Sequence, residues 1–215
     1  MLVTCWSTKG GSGTTVVAAS LALLLARRSP HGAVLADLAG DGPAVLGVAE
    51  PDSPGLAGWL AAGDAVPVDG LTRLEVALDG GLALLPRGAG ALAPPRAGVL
   101  ARVLARGSRP VVADCGTDLD GAALALVEAA DRSLLVTRAC YLALRRARQV
   151  AVRPSGVVLV REPGRALGRD DVEVATQAPV AAEVELDPGV ARAVDAGLLG
   201  RSLPRTLERR LSHVL

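Results

Sequence analysis

Lys9-Gly10-Gly11-Ser12-Gly13-Thr14-Thr15 follows the apolar run Leu2-Val3-Thr4-Cys5-Trp6 and precedes Val16-Val17-Ala18-Ala19-Ser20-Leu21-Ala22-Leu23. The order is a short buried strand, a glycine-rich turn and a helix, which is what a phosphate-binding loop requires. Glycines let the backbone turn tightly enough for successive N–H groups to point at one anion, and the helix that follows adds the positive end of its dipole. Thr15 stands where the last residue of GxxxxGK(S/T) offers its hydroxyl to magnesium. The residue before it departs from that pattern, because the expected lysine is Thr14. The alternative is a glycine-rich strand-to-helix turn with no ligand, which short motifs leave open.

A lysine does occur at the start of the loop. Lys9 is the only lysine in the chain, and arginine supplies the other formal positive charges. A composition that uses arginine wherever a generic cation suffices marks Lys9 as particular. Its chemistry is that of a compact point charge at phosphate oxygens, where a planar guanidinium fits less well.

With these residues the sequence resembles the deviant Walker A ATPases of the ParA/MinD superfamily, whose loop reads KGGxGK(S/T). Lys9, Gly10, Gly11, Gly13 and Thr15 match that pattern and Thr14 departs from it. The resemblance implies ATP and Mg2+ as cofactors, with Lys9 to Thr15, including Ser12 and Thr14, holding the nucleotide. It also implies a homodimer that sandwiches nucleotide, in which Lys9 reaches across to the phosphates of the other protomer and takes a catalytic role.

A chain of 215 residues accommodates one α/β domain with a real core, and nothing marks a second, so residues 1–215 are expected to form a single domain. The formal net charge of +1 gives no bulk attraction to nucleic acid. Cys5, Cys115 and Cys140 are far apart, odd in number and in no CxxC spacing, which argues against a disulfide framework or a zinc site. No signal peptide and no apolar stretch of membrane-spanning length is apparent, so a cytoplasmic location is expected. Phe, Ile and Asn are absent, and Leu, Val and Ala must build the core.

Ala33-Val34-Leu35-Ala36-Asp37 reads as a second buried strand ending in a carboxylate. Ligands of open α/β sheets sit at the carboxyl ends of strands, so Asp37 is expected to face the phosphate site and its metal. The segment from Leu38 to Gly47 resembles the switch I region of the superfamily, where D-x-D supplies a water-orienting carboxylate. Here that place is Ala39, and Asp41 comes two residues later. Asp41 is either the replacement catalytic carboxylate or a helix N-cap. Pro54 to Leu60 is expected to be a short helix with Trp59 packed inside. Leu74 to Leu78 and Leu82 to Pro86, joined by Asp79-Gly80-Gly81, read as paired strands. A small-residue loop over 88–95 leads to a helix from Val99 to Arg106.

Arg109 to Asp114 is a strand of β-branched residues ending in an aspartate. With the loop upstream it looks like a Walker B element, in which Asp114 meets magnesium through water. Cys115 to Gly121 then takes the place of switch II. Further expected elements are a helix over Leu124–Ala130, strands over Ser133–Thr137, Gly156–Val160 and Val180–Leu186, and a basic helix over Tyr141–Val150. Arg145, Arg146 and Arg148 on that helix are either a non-specific DNA contact or a solvated face. The final helix carries Leu203, Leu207, Leu211 and Leu215, either for a membrane surface or as core packing.

Alternating strands and helices with short links predict an α/β fold, a mostly parallel twisted sheet with helices on both faces. The order Gly40-Asp41, Leu46-Gly47, Gly55-Leu56-Ala57, Gly81 to Pro86, Ala130 to Thr137 is similar to the CpaE/TadZ branch, localisation proteins of pilus assembly with atypical phosphate loops in some members. The resemblance implies a nucleotide-controlled dimerising switch ATPase that positions chromosome, plasmid, division or pilus machinery through a protein partner or cargo. The rival is a pseudo-ATPase scaffold of the same fold. Thr14 and Ala39 favour it, since each lacks a group that phosphoryl transfer uses to stabilise charge or orient water. A biosynthetic ATP-using enzyme of this fold, such as a dethiobiotin synthetase relative, would need a substrate constellation that the sequence does not offer.

Overall fold

Short runs of Val, Leu and Ala with no polar face form strands that must be covered on both sides, and the chain supplies helices between them to do it. The computed structural model describes residues 1–63, 67–92 and 94–215. In chain order the elements are β1 (Leu2–Trp6), α1 (Thr14–Arg28), β2 (Ala33–Asp37), α2 (Gly42–Leu46), α3 (Gly55–Ala61), β3 (Val76–Ala77), β4 (Leu82–Leu85), α4 (Ala97–Arg106), β5 (Val111–Asp114), α5 (Gly121–Ala129), β6 (Arg132–Arg138), α6 (Tyr141–Ala147), β7 (Gly156–Arg161), α7 (Arg169–Thr176), β8 (Val180–Glu185), α8 (Pro188–Asp195) and α9 (Arg205–Leu211). The strands form one sheet in the order β3-β4-β2-β5-β1-β6-β7-β8, parallel throughout except for the β3–β4 pair.

The two-residue period of a strand sorts its side chains between two cores. In β1, Leu2 and Trp6 join α3, α4 and α5 on one face, while Val3 and Cys5 join α1, α2 and α9 on the other. Helix α1 is buried along most of its length and ends in Arg27-Arg28, cations at the negative end of its dipole. Arg27 pairs with Glu208 at 3.2 Å and Arg28 donates to the Ser212 carbonyl at 3.1 Å, which ties α9 to α1. The leucine stripe is core: Leu203, Leu207 and Leu211 are 6%, 1% and 0% exposed. That packing leaves those leucines no face to lay on a membrane. Among the described residues no helix is long and apolar enough to cross one.

Trp59 is packed as expected, with the Arg96 guanidinium 3.7 Å above its ring. Three local expectations are corrected, and one helix, α7, is added to those expected. The strand expected over Leu74–Leu78 shrinks to Val76–Ala77, because a 3-10 helix occupies Val68–Leu74 and Glu75 is held by a bidentate pair with Arg109 at 2.6 and 2.8 Å. Helix α4 begins at Ala97, after a 3-10 turn over Pro94–Arg96; Ala93, within the expected loop over 88–95, lies outside the described residues. Helix α6 stops at Ala147, since Val150 and Val152 pack back against the core. Helix α7 has no clear apolar stripe in sequence. It is held by Asp171 accepting the Gly168 amide at 2.8 Å, by the Arg169–Glu173 pair at 3.1 Å, and by Val172 in the core.

Truncating a leucine at 0% exposure removes its contacts and leaves a cavity, so Leu211→Ala is expected to cost about 2–4 kcal/mol and lower the melting temperature by roughly 5–15 °C. Thermal unfolding followed by circular dichroism checks this, and an unchanged melting temperature would show that α9 does not belong to the core.

Candidate functional site

From β1 the chain crosses to β2 on one side of the sheet centre, and from β5 it crosses to β6 on the other. Such a switch of direction opens a crevice at the carboxyl ends of the strands. A cleft of about 1070 Å³ lies there, floored by Gly10 to Thr15 and walled by Leu38, Ala39 and Asp41 on one side and Cys115 to Asp118 on another.

The loop has the conformation that its glycines predict. Gly11 and Gly13 have φ of 74° and 87°, left-handed values that a residue with a Cβ adopts only with strain. A Cβ on Gly10, Gly11 or Gly13 would meet nothing within 4 Å, so the space above the loop is open. The Ser12 hydroxyl donates to the Lys9 carbonyl at 2.7 Å and the Ser7 hydroxyl to the same oxygen at 3.3 Å, which fixes the turn from inside. The amides of Gly13, Thr14, Thr15 and Val16 have no acceptor among the described residues. A concave row of free amides at a helix N-terminus fits an anion.

Asp37 and Asp114 end neighbouring strands and are register partners, both at 0% exposure. Asp37 uses both oxygens on the loop that follows it, accepting from the Gly40 amide at 2.7 Å and the Gly42 amide at 2.8 Å. A Cβ on Gly42 would fall 2.7 Å from Asp37 Oδ2, so the brace closes only over glycine. Burial raises the Asp37 pKa, the two amides pull it back, and Asp41 and Glu50 push it up. Asp114 accepts from the Gly116 amide at 3.1 Å with Oδ1, while its buried Oδ2 has no partner among the described residues. Burial pushes its carboxyl up to about 6, the Thr15 hydroxyl and the Gly116 amide draw it down, and the charges of Asp37 and Asp41 raise it.

A buried carboxylate with an unpartnered oxygen beside a threonine hydroxyl is a donor set that fits hydrated magnesium. Among the described residues no three His, Cys, Asp or Glu side chains converge into an all-protein metal cage. Magnesium does not need one, since it keeps waters and shares phosphate oxygens. Burial also raises the Cys5 and Cys115 thiols well above their ordinary value, which leaves them protonated and poor nucleophiles.

The remaining expected residues fall in two places. Asp41 lines the cleft, is exposed, and makes no side-chain cap bond to α2. Lys9 is half-buried and is not part of the cleft lining; its charge acts on Glu162 beyond β7. Arg145, Arg146 and Arg148 are exposed, but Arg145 and Arg148 share a groove with Asp170 and Asp171, and Arg146 donates to the Thr8 carbonyl at 3.3 Å. Those acids reduce the positive field expected of the helix.

Arg87 was not anticipated. It lines the cleft from the end of β4 and donates to the carbonyls of Leu38 and Gly90. Only its place after the strand-ending Leu85-Pro86 could have signalled it.

The cleft and sheet order define a P-loop α/β protein, and comparison with solved structures gives the fold its relatives. The ParA family ATPase of Chlorobium tepidum TLS superposes with a TM-score of 0.80 at 20% identity, over 98% of this chain and 95% of that one. MinD of Pyrococcus horikoshii OT3, complexed with Mg-ADP, gives 0.78 at 20% identity, over 96% and 91%. An ATP complex of a Cyanothece McdA variant gives 0.73 at 20% identity, over 99% and 95%. No protein-family model and no curated protein matches the sequence. The chain therefore has the ParA/MinD fold, and at this identity the likeness is one of fold.

The Asp114 carboxyl, at about 6 in the folded protein against an ordinary value near 3.8, keeps a proton that the unfolded chain releases. The folded state binds more protons between those values, so this group's contribution to stability falls as pH rises from about 4 through about 6. Asp114→Asn keeps the acceptor for the Gly116 amide and removes the charge. The ligand-free variant is expected to be more stable than wild type at pH 7.5 by about 2 kcal/mol, with a smaller difference at pH 5. Urea unfolding at both values checks this, and a variant less stable at pH 7.5 would contradict it.

Proposed function

We propose that this chain is a member of the ParA/MinD superfamily: a nucleotide-controlled dimerising switch ATPase that positions a cellular component in the cytoplasm through a protein partner or cargo. The observation that carries the reading is the open glycine loop, with its free amides beside the orphaned Oδ2 of Asp114. Nucleotide complexes of two proteins of this fold, MinD with Mg-ADP and McdA with ATP, support ATP and Mg2+ as ligands.

In this reading the amides and side chains of Gly10 to Thr15 bind the phosphates. Thr15 and Asp114 hold magnesium, with Asp37 close behind as the brace of the loop and a second negative charge. Magnesium, when bound, neutralises phosphate charge and fixes the orientation of the outer phosphate. Asp41, exposed in the cleft and free of a capping bond, orients the attacking water. Lys9 lies outside the lining of its own cleft, and in this reading it reaches the phosphates of a second protomer. The order of its sequence segments supports a place in the CpaE/TadZ branch. DNA contact through Arg145, Arg146 and Arg148 is the less supported surface, because Asp170 and Asp171 oppose it.

The second reading is a pseudo-ATPase scaffold that binds nucleotide and dimerises with little or no hydrolysis. Thr14 in place of lysine and Ala39 in place of a carboxylate favour it.

Dimerisation tests the switch. Wild type is expected to be a monomer without nucleotide and a dimer with ATP and magnesium, whereas Lys9→Ala stays folded and monomeric in both. Light scattering coupled to gel filtration reads this directly; an undiminished ATP-dependent dimer of Lys9→Ala would remove the assigned role from Lys9.

A further inference from the structure

The cleft's own charge opposes the ligand proposed for it. Asp41, Asp118, Asp120 and Asp195 line it, and a polyphosphate would add further negative charge. At position 14, where the phosphate-loop pattern brings a lysine, the side chain is an uncharged threonine. Lys9 lies outside the lining. Among the described residues Arg87 is the one cation that lines the cleft.

Arg87 is held in place at both ends. Its carbonyl accepts the Ala57 amide at 2.8 Å, and the Pro86 carbonyl before it accepts the Leu56 amide at 2.9 Å. The next residue packs closely on the chain before α3, since a Cβ on Gly88 would fall 2.1 Å from the Pro54 carbonyl oxygen. The stem crosses the loop that Asp37 braces, where a Cβ on Gly40 would come 3.1 Å from Arg87 Cδ. The guanidinium donates to Leu38 and Gly90, both backbone carbonyls, and pairs with no carboxylate among the described residues. Carbonyl partners orient the fork without cancelling its charge, and five donors leave some over for a ligand.

We propose that Arg87 supplies, from the end of β4, the positive charge that Thr14 does not, and that it bonds the terminal phosphate of the bound nucleotide. The inference rests on the nucleotide-binding reading above and adds a phosphate-recognising residue to it. A planar fork reads two phosphate oxygens at once, unlike the point charge of a lysine, so the site distinguishes a triphosphate from a diphosphate through one side chain.

The test is calorimetric titration of wild type, Arg87→Gln and Arg87→Gln/Thr14→Lys with ATP and with ADP, each with magnesium. Glutamine keeps the apolar part of the stem that crosses the loop and removes the charge, and the lysine at position 14 separates loss of charge from loss of the bond to the Leu38 carbonyl. Arg87→Gln is expected to weaken ATP binding about tenfold or more and ADP binding about threefold or less, the scale of one charge-assisted bond. Lysine at position 14 is expected to recover most of the lost ATP affinity. Position 14 lies on the glycine loop and not at the β4 end, so this rescue reports charge restored at the phosphates. Equal ATP affinity in Arg87→Gln and wild type overturns the assignment, as does an equal loss for ATP and ADP that lysine at 14 fails to restore. Wild type binding neither nucleotide overturns the nucleotide reading itself, and this assignment with it.

Discussion

Two carboxylates buried side by side set the terms for the rest of the molecule. Parallel pairing of β2 and β5 puts Asp37 opposite Asp114 at the crest of the sheet, and water reaches neither. Like charges in such a place are held only if donors or a cation offset them. Asp37 is offset by two amides of its own loop, which gives the loop its shape. Asp114 is offset by the Gly116 amide and the Thr15 hydroxyl, and its Oδ2 has no hydrogen-bond partner among the described residues.

The site is also tied to surfaces some way from it. Thr8, just before Lys9, donates to the Ala143 carbonyl at 3.1 Å and its carbonyl accepts from Arg146, so α6 is bonded to the start of the loop. On the other side α2, which follows Asp41, is seated against the segment after α8. A Cβ on Gly47 would fall 1.8 Å from the Gly197 carbonyl oxygen, so the two backbones touch directly. Val194 and Asp195 at the end of α8 reach the cleft itself. A change in the loop between Asp37 and Gly42 therefore has packed routes to α8, and a change at Lys9 has one to α6.

Much of this was legible in the sequence because local chemistry dictates it. Gly11 and Gly13 read as a phosphate loop since left-handed backbone before a helix asks for glycine, and Asp37 and Asp114 read as strand ends since apolar runs stop there. What was not legible depends on partners distant in the chain. The leucines of α9 have a helical period that fits a membrane or a core equally, and only their contact with α1 decides. Arg87 carried no motif, and its importance comes from the sheet order that brings the end of β4 beside β2. The β3 strand shortened because Glu75 went to Arg109, a pairing between residues 34 apart. Helix α7 escaped notice since capping and ion pairs, rather than an apolar stripe, hold it.

The central claim is that a magnesium-bound nucleotide completes the charge balance around Asp114. Calorimetric titration of the wild-type protein with ATP, run in parallel with magnesium and with a chelator at pH 7.5, tests it most directly. Saturable binding with magnesium that collapses in chelator is the result predicted. No binding at millimolar nucleotide, or binding of equal strength without the metal, would contradict the claim.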